Sequence, residues 1–312
     1  MSRLRERESL RSLLKPLPLS IQIPPSIIYI VNNSPQYKCI SMNQTQLTTC
    51  HAQLAPLLGP TAEPIAVTKL VEQHRWFWRP ARPRLLLLAE SHVYTTEAET
   101  QSSMVASGIP AGIPKEFVRL VYCLGYGEKA ILNRSISSAN TGTPQFWKIF
   151  KHCLAPENEA TNSEEPASPA NRLANKLRIL HRLKEQGIWL LDASIAALYQ
   201  PGVPKLNAQL RHTVISTSWD NYVQHVVSQA NPQAILCIGI GVARTLSSRL
   251  DNLKIPWDAV PQPQARLSSA EHTQISQTYH AVAQDPAKIR NIARHWLTKR
   301  PPLAREAASG SV

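Results

Sequence analysis

The sequence predicts an α/β protein, a three-layer α/β/α arrangement around a short, mainly parallel sheet of four strands. Two observations carry this. Four short runs, Leu85–Leu88, Ile188–Asp192, Ala234–Ile240 and Trp257–Val260, read as strands, and the continuous apolar run Leu85–Leu88 reads as one buried on both faces. Stretches with apolar residues at helical spacing separate them, and strands alternating with helices build a parallel sheet.

Residues 1–60 are rich in Pro, Ser, Thr and Gln, and read as a weakly structured extension. The domain proper spans 61–298. It opens on a helix carrying Val67, Leu70 and Val71, which runs into Arg75–Arg84, four arginines among three aromatics. The aromatics there are expected to cap the core while the arginines reach outward, although cationic and stacking groups also combine in nucleic-acid channels. The first strand ends at Ala89, Glu90, Ser91 and His92, where an open α/β sheet lines its ligand crevice. Thr95–Gln101 starts a helix, Phe117–Leu124 fits a strand or a buried helix equally, and Thr143–Leu154 has a helical start and spacing. Residues 155–170 are acidic and proline-bearing, a surface insertion. A basic amphipathic helix, Asn171–Gln186, then leads through Gly187 to the second strand, whose polar end is Asp192. Trp219–Ser228 is helical, and Gly241 opens the helix after the third strand. Helices over Ala270–Ala283 and Pro286–Leu297 close the domain, and 299–312 read as a disordered tail.

The net charge of +13 favours a polyanionic partner, nucleic acid before anionic membrane. No apolar segment approaches the roughly 18 residues a membrane helix needs, and the charged start lacks a signal-peptide core. Five scattered cysteines without a Cys-x-x-Cys, and ten histidines without metal spacing, point to no zinc or iron–sulfur site and to a reduced, cytoplasmic setting. Gly239–Arg244 follows a strand and precedes a helix, but Arg244 stands where the dinucleotide fingerprint needs a third small residue, so no cofactor is expected.

Several motifs in order carry a family resemblance. Glu185-Gln186-Gly187-Ile188-Trp189-Leu190-Leu191-Asp192 is similar to Glu-Gln-Gly-x-Leu-Leu-Leu-Asn. Pro144–Ile149 resembles Pro-Ser-Leu-x-Asn-Ile, Ala89–His92 occupies the first strand-end motif, and Gln262–Ser268 loosely resembles His-Pro-Ser-Pro-x-Ser. In this order they resemble the uracil-DNA glycosylase superfamily over about Arg75 to Trp296. The resemblance implies a monofunctional enzyme that flips a base out of DNA and hydrolyses its N-glycosidic bond without metal or organic cofactor. It places Glu90, Ser91 and Gln262 in catalysis: Glu90 to orient water, Ser91 to assist and Gln262 where the family has its catalytic His. Asp192, His92 and Tyr122 would bind the base, with Asp192 in place of the pyrimidine-reading Asn and either Tyr122 or Tyr126 stacking on the ring. Arg266, Arg82, Arg84 and Ser268 would contact the nucleic acid, and Arg266 would also supply the positive charge Gln262 lacks. The expected partner is single- or double-stranded DNA and the expected state a monomer. Two other readings stay open: a non-catalytic nucleic-acid-binding relative, and a hydrolase of free nucleosides or nucleotides.

Overall fold

A computed structural model describes residues 42–136, 140–156, 168–292 and 295–298. Its centre is a four-stranded, all-parallel sheet in the order β2-β1-β3-β4, formed by β1 (Leu85–Ala89), β2 (Ile188–Asp192), β3 (Ala234–Ile238) and β4 (Trp257–Val260). Every residue of all four strands is buried, which accounts for their largely apolar composition, with Asp192 and Asp258 as the exceptions. Leu85, Leu86, Leu87 and Leu88 have no exposed surface, and each stabilises the fold by about 2 kcal/mol on burial. The free edge of β2 is closed by side chains. The Leu190 N–H donates to the Tyr122 hydroxyl at 2.8 Å, and the Trp189 indole N–H donates to the Arg75 carbonyl at 3.2 Å.

The helices are α1 (Gln44–Leu58), α2 (Ile65–Phe77), α3 (Glu97–Thr100), α4 (Pro144–Leu154), α5 (Pro169–Glu185), α6 (Ala208–Ser218), α7 (Gln224–Ala230), α8 (Ile240–Asn252), α9 (Ser269–Gln284) and α10 (His295–Thr298). Helix α4 packs on α5 and α9, and α6 packs on α1 and α8, giving two helical groups about one sheet. The expected α/β architecture is therefore observed. None of the described helices is long and apolar enough to cross a membrane.

Some elements differ from expectation. Helix α1 falls inside the stretch read as weakly structured: Asn43 caps it, and Leu47, Cys50, Leu54 and Leu58 make a buried stripe. The domain therefore starts by Gln44, and residues 1–41 lie outside the described residues. Phe117–Leu124 is neither strand nor helix but a buried run of turns, its backbone satisfied by Ser102, Thr95 and its own neighbours. The helix read over Trp219–Ser228 is present, but it opens on a five-residue π-helical turn, Trp219–Val223, that joins α6 to α7. The closing helix divides into a 3₁₀ segment, Pro286–Asn291, and α10. Of the insertion, residues 157–167 lie outside the described residues, as does the tail from 299.

Gly187 links α5 to β2 at φ +73°, and a Cβ there would meet the Arg82 carbonyl at 2.8 Å. Only glycine suits both the dihedral and the close approach.

Candidate active site

The chain leaves β1 for β2 on one side and then crosses to β3 on the other, so the topological switch lies between β1 and β3. A ligand crevice is expected outside the carboxyl ends of the strands at such a point. A cavity of 620 Å³ lies there, lined at the end of β1 by Glu90, of β2 by Asp192, of β3 by Ile238 and beyond β4 by Gln262. That volume is within the range of small-molecule sites.

Glu90 keeps 23% of its side chain exposed and faces Arg211 of α6, Oε1 to Nη1, at 3.2 Å. Its Oε2 accepts from the Gln262 Nε2 at 3.5 Å, a long contact between residues 172 apart in sequence. Gln262 reaches this position across Gly239, where a Cβ would meet its Cγ at 3.0 Å. Gly239 sits at φ +124°, so the glycine read as half of a dinucleotide fingerprint makes room for Gln262.

Beneath these groups runs a buried chain of charges. Asp192 Oδ2 accepts from Arg75 Nη2 at 2.5 Å and lies 3.8 Å from His92 Nδ1. The other ring nitrogen of His92 meets Glu63 at 2.7 Å, and Arg75 also binds Glu72, which accepts from the Tyr222 hydroxyl at 3.1 Å. Glu63 additionally accepts from the backbone of Thr95 at 2.7 Å and of Ala197 at 3.3 Å, tying the loops after β1 and β2 together. Burial alone lowers the His92 pKa, but the Glu63 and Asp192 carboxylates outweigh it and hold the imidazole up at about 9. Burial likewise works against the Asp192 carboxylate, and Arg75 and His92 together keep its pKa below the ordinary range.

These shifts fix a pH dependence. The His92 pKa is raised, so its contribution is complete below its ordinary value of 6.5 and lost as the pH rises through about 9. The Asp192 pKa is lowered, so its contribution is present above the ordinary 3.8 and lost as the pH falls below it. Thermal melts from pH 6 to 10 should show a loss on the order of 3 kcal/mol above pH 7, and a much flatter curve for His92→Gln. Parallel curves for the two proteins would contradict the pairing.

The cavity collects five of the ten residues singled out from the sequence: Glu90, Ser91, His92, Asp192 and Gln262. Ser91 is nonetheless engaged, its hydroxyl donating to the His92 carbonyl at 3.0 Å and accepting from the Leu198 N–H at 3.1 Å, so it fastens the loop. His92 is turned into the carboxylate network, with no exposed side-chain surface. Tyr122 does not reach the cavity; it is buried in stacked contact with Phe150, its hydroxyl on the β2 edge. Tyr126, the other tyrosine expected to stack on the base, does line the cavity, together with Phe146 and the exposed Tyr199.

Arg82 and Arg84 precede β1 and so stand at the opposite end of the sheet, Arg82 exposed and Arg84 donating to the Gln284 carbonyl at 3.3 Å. Arg75 is buried in the charge chain and Arg79 lies over the Trp76 and Trp189 rings, so this basic run does not face the cavity. Arg266 is exposed in the loop after β4 but is not part of the cavity wall. Ser268 is the N-cap of α9, its hydroxyl exchanging hydrogen bonds with Glu271 in a capping box.

Sequence reasoning missed four charged residues. Arg211, Lys205 and Arg119 line the cavity, Arg119 being held by Glu99 at 2.6 Å, and Glu63 anchors His92 from below. Each is an isolated charge in a helix or loop, with no motif around it; only the fold brings it to the site. No family model matches the chain, and no curated protein or solved structure matches it.

Proposed function

We propose that the chain hydrolyses the N-glycosidic bond of a base extruded from a DNA strand, as the uracil-DNA glycosylase superfamily it resembles does. The observation that carries this reading is the meeting of Glu90, Asp192 and Gln262 in one cavity at the carboxyl ends of the strands. The four-stranded parallel sheet agrees with the fold the resemblance implies.

Each group has a chemical task. Among the described residues, Glu90 is the only carboxylate of the cavity wall that is partly exposed, and it would orient a water and take its proton as the water attacks the sugar carbon. Arg211 fixes the direction of that carboxylate. Asp192, anchored from below, presents an acceptor to the edge of the base, and the Tyr126 and Phe146 rings offer apolar faces to its plane. Gln262 supplies a neutral dipole beside the reacting atoms. Lys205 at the wall and the overall charge of +13 favour a phosphate backbone outside.

The test is release of free base from single- and double-stranded oligonucleotides carrying uracil, hypoxanthine or an alkylated base. Release above an enzyme-free control is expected, at a rate that falls with salt. Retained DNA binding with no release from any oligonucleotide would favour a non-catalytic nucleic-acid-binding protein. Release from nucleosides but not from DNA would assign a free nucleoside as substrate.

A further inference from the structure

Within that reading, the rim of the cavity specifies the form of DNA that enters it. Large apolar side chains exposed singly are ordinary on a protein surface. Among the described residues four stand exposed, and two of them, Tyr199 and Val203, share the loop between β2 and α6. Tyr199, Pro201, Lys205 and Leu206 of that loop line the cavity. Tyr199 belongs to the wall and is still 49% exposed, which puts its ring at the rim.

The loop holds this tyrosine in place. The Tyr94 N–H donates to the Tyr199 carbonyl at 2.9 Å, and Val93 and Tyr199 form a parallel bridge. The neighbouring Leu198 N–H donates to the Ser91 hydroxyl at 3.1 Å. The backbone under the ring is thus fastened to the segment that follows β1, and a ring on a fixed backbone presents its face at little entropic cost.

The charges of the wall divide by depth. Glu90, His92, Arg119, Asp192, Lys205 and Arg211 are its charged side chains. His92, Asp192 and Arg119 are buried and joined to Glu63, Arg75 and Glu99. The rim keeps two exposed cations, Lys205 and Arg211, against Glu90 at 23% exposure. Arg211 faces Glu90, and Lys205 makes no ion pair among the described residues. A fixed aromatic face beside an exposed cation is how proteins hold a single strand, the base on the ring and the phosphate on the cation.

We infer that the protein takes its base from single-stranded DNA, and that Tyr199 selects the strand by stacking on the base next to the extruded one, with Lys205 on the phosphate between them. An unpaired strand offers the face of that neighbouring base directly. In a duplex the same base is stacked on both sides, and a ring fixed at the rim reaches its face only after a further step has been unstacked.

The test measures binding of an undamaged oligothymidylate strand and of a hairpin duplex of equal length, over a range of salt, by the wild-type protein and by Tyr199→Ala, Tyr199→Phe and Lys205→Ala. Neither ligand carries a damaged base, so binding is read apart from chemistry. The wild-type protein should bind the single strand at least roughly tenfold more tightly than the duplex. Tyr199→Ala should lose roughly 5- to 100-fold on the single strand and less than about twofold on the duplex, with Tyr199→Phe close to the wild-type protein. Lys205→Ala should weaken both and lower the salt slope by about 1; an unchanged slope would refute its phosphate contact. A duplex bound as tightly as the single strand, or a Tyr199→Ala loss that is equal on the two or absent from both, would overturn this inference and leave base excision to be judged by release of free base. Binding of neither ligand would remove both. Should Tyr199→Ala fail to fold, the wild-type ratio alone decides the strand preference.

Discussion

Replacing Arg75 with Met is expected to lower the unfolding free energy by about 3–5 kcal/mol, the cost of leaving buried charges without their counterion. Arg75 is 2% exposed and holds Asp192 on one side and Glu72 on the other, both themselves buried. Removing it leaves two carboxylates facing one another in a medium that solvates neither. Methionine keeps most of the volume, so the loss reports the charge rather than a cavity. For a chain of this size the melting temperature should fall by roughly 10 °C. Adding Asp192→Asn and Glu72→Gln to the variant should recover part of the loss, because the uncompensated charges are then gone. Chemical denaturation of the three proteins checks this, and a loss below about 1 kcal/mol for Arg75→Met would show that the network is not coupled as drawn.

Glu90→Gln should behave in the opposite way, sparing stability and abolishing chemistry. Glu90 and Arg211 are partly exposed, 23% and 44% at their side chains, and pairs of that kind contribute at most about 1 kcal/mol. Glutamine preserves the shape and can still meet Gln262. What it loses is the capacity to accept a proton from water, and general-base groups of this kind are worth roughly 10²–10⁴-fold in rate. The melting temperature should therefore stay close to the wild-type value while base release falls by that factor.

The parts of this fold that were legible in the sequence are those written in local pattern. Four consecutive leucines opened by a Pro and an Arg read as a strand covered on both faces, and the abrupt change to Glu90 marks where the sheet meets its crevice. Asp192 was legible for the same reason, as the polar end of Ile188–Leu191. Helix α1 was not, because its buried stripe of Leu47, Cys50, Leu54 and Leu58 is diluted by Thr, Gln and Pro56 on the outward face. Tyr122, expected to stack on a base, instead satisfies a strand edge with its hydroxyl, a need that appears only once β2 is known to lie outermost. Glu63 and Arg211 reach the site from α1–α2 and α6 through tertiary packing, which leaves no periodic trace along the chain. The basic run Arg75–Arg84 has the composition of a nucleic-acid surface, but its leading arginine is spent on buried carboxylates and its last two stand beyond the wrong end of the sheet.

The most direct measurement is single-turnover release of free base from alkylated, deaminated and uracil-bearing oligonucleotides by the wild-type protein and by Glu90→Gln, with melting curves for both. Catalysis at the strand-end cavity requires release by the wild-type protein and a loss of roughly 10²–10⁴-fold in the variant at unchanged melting temperature. Equal release by the two proteins, or none by either on any of the oligonucleotides, would contradict it.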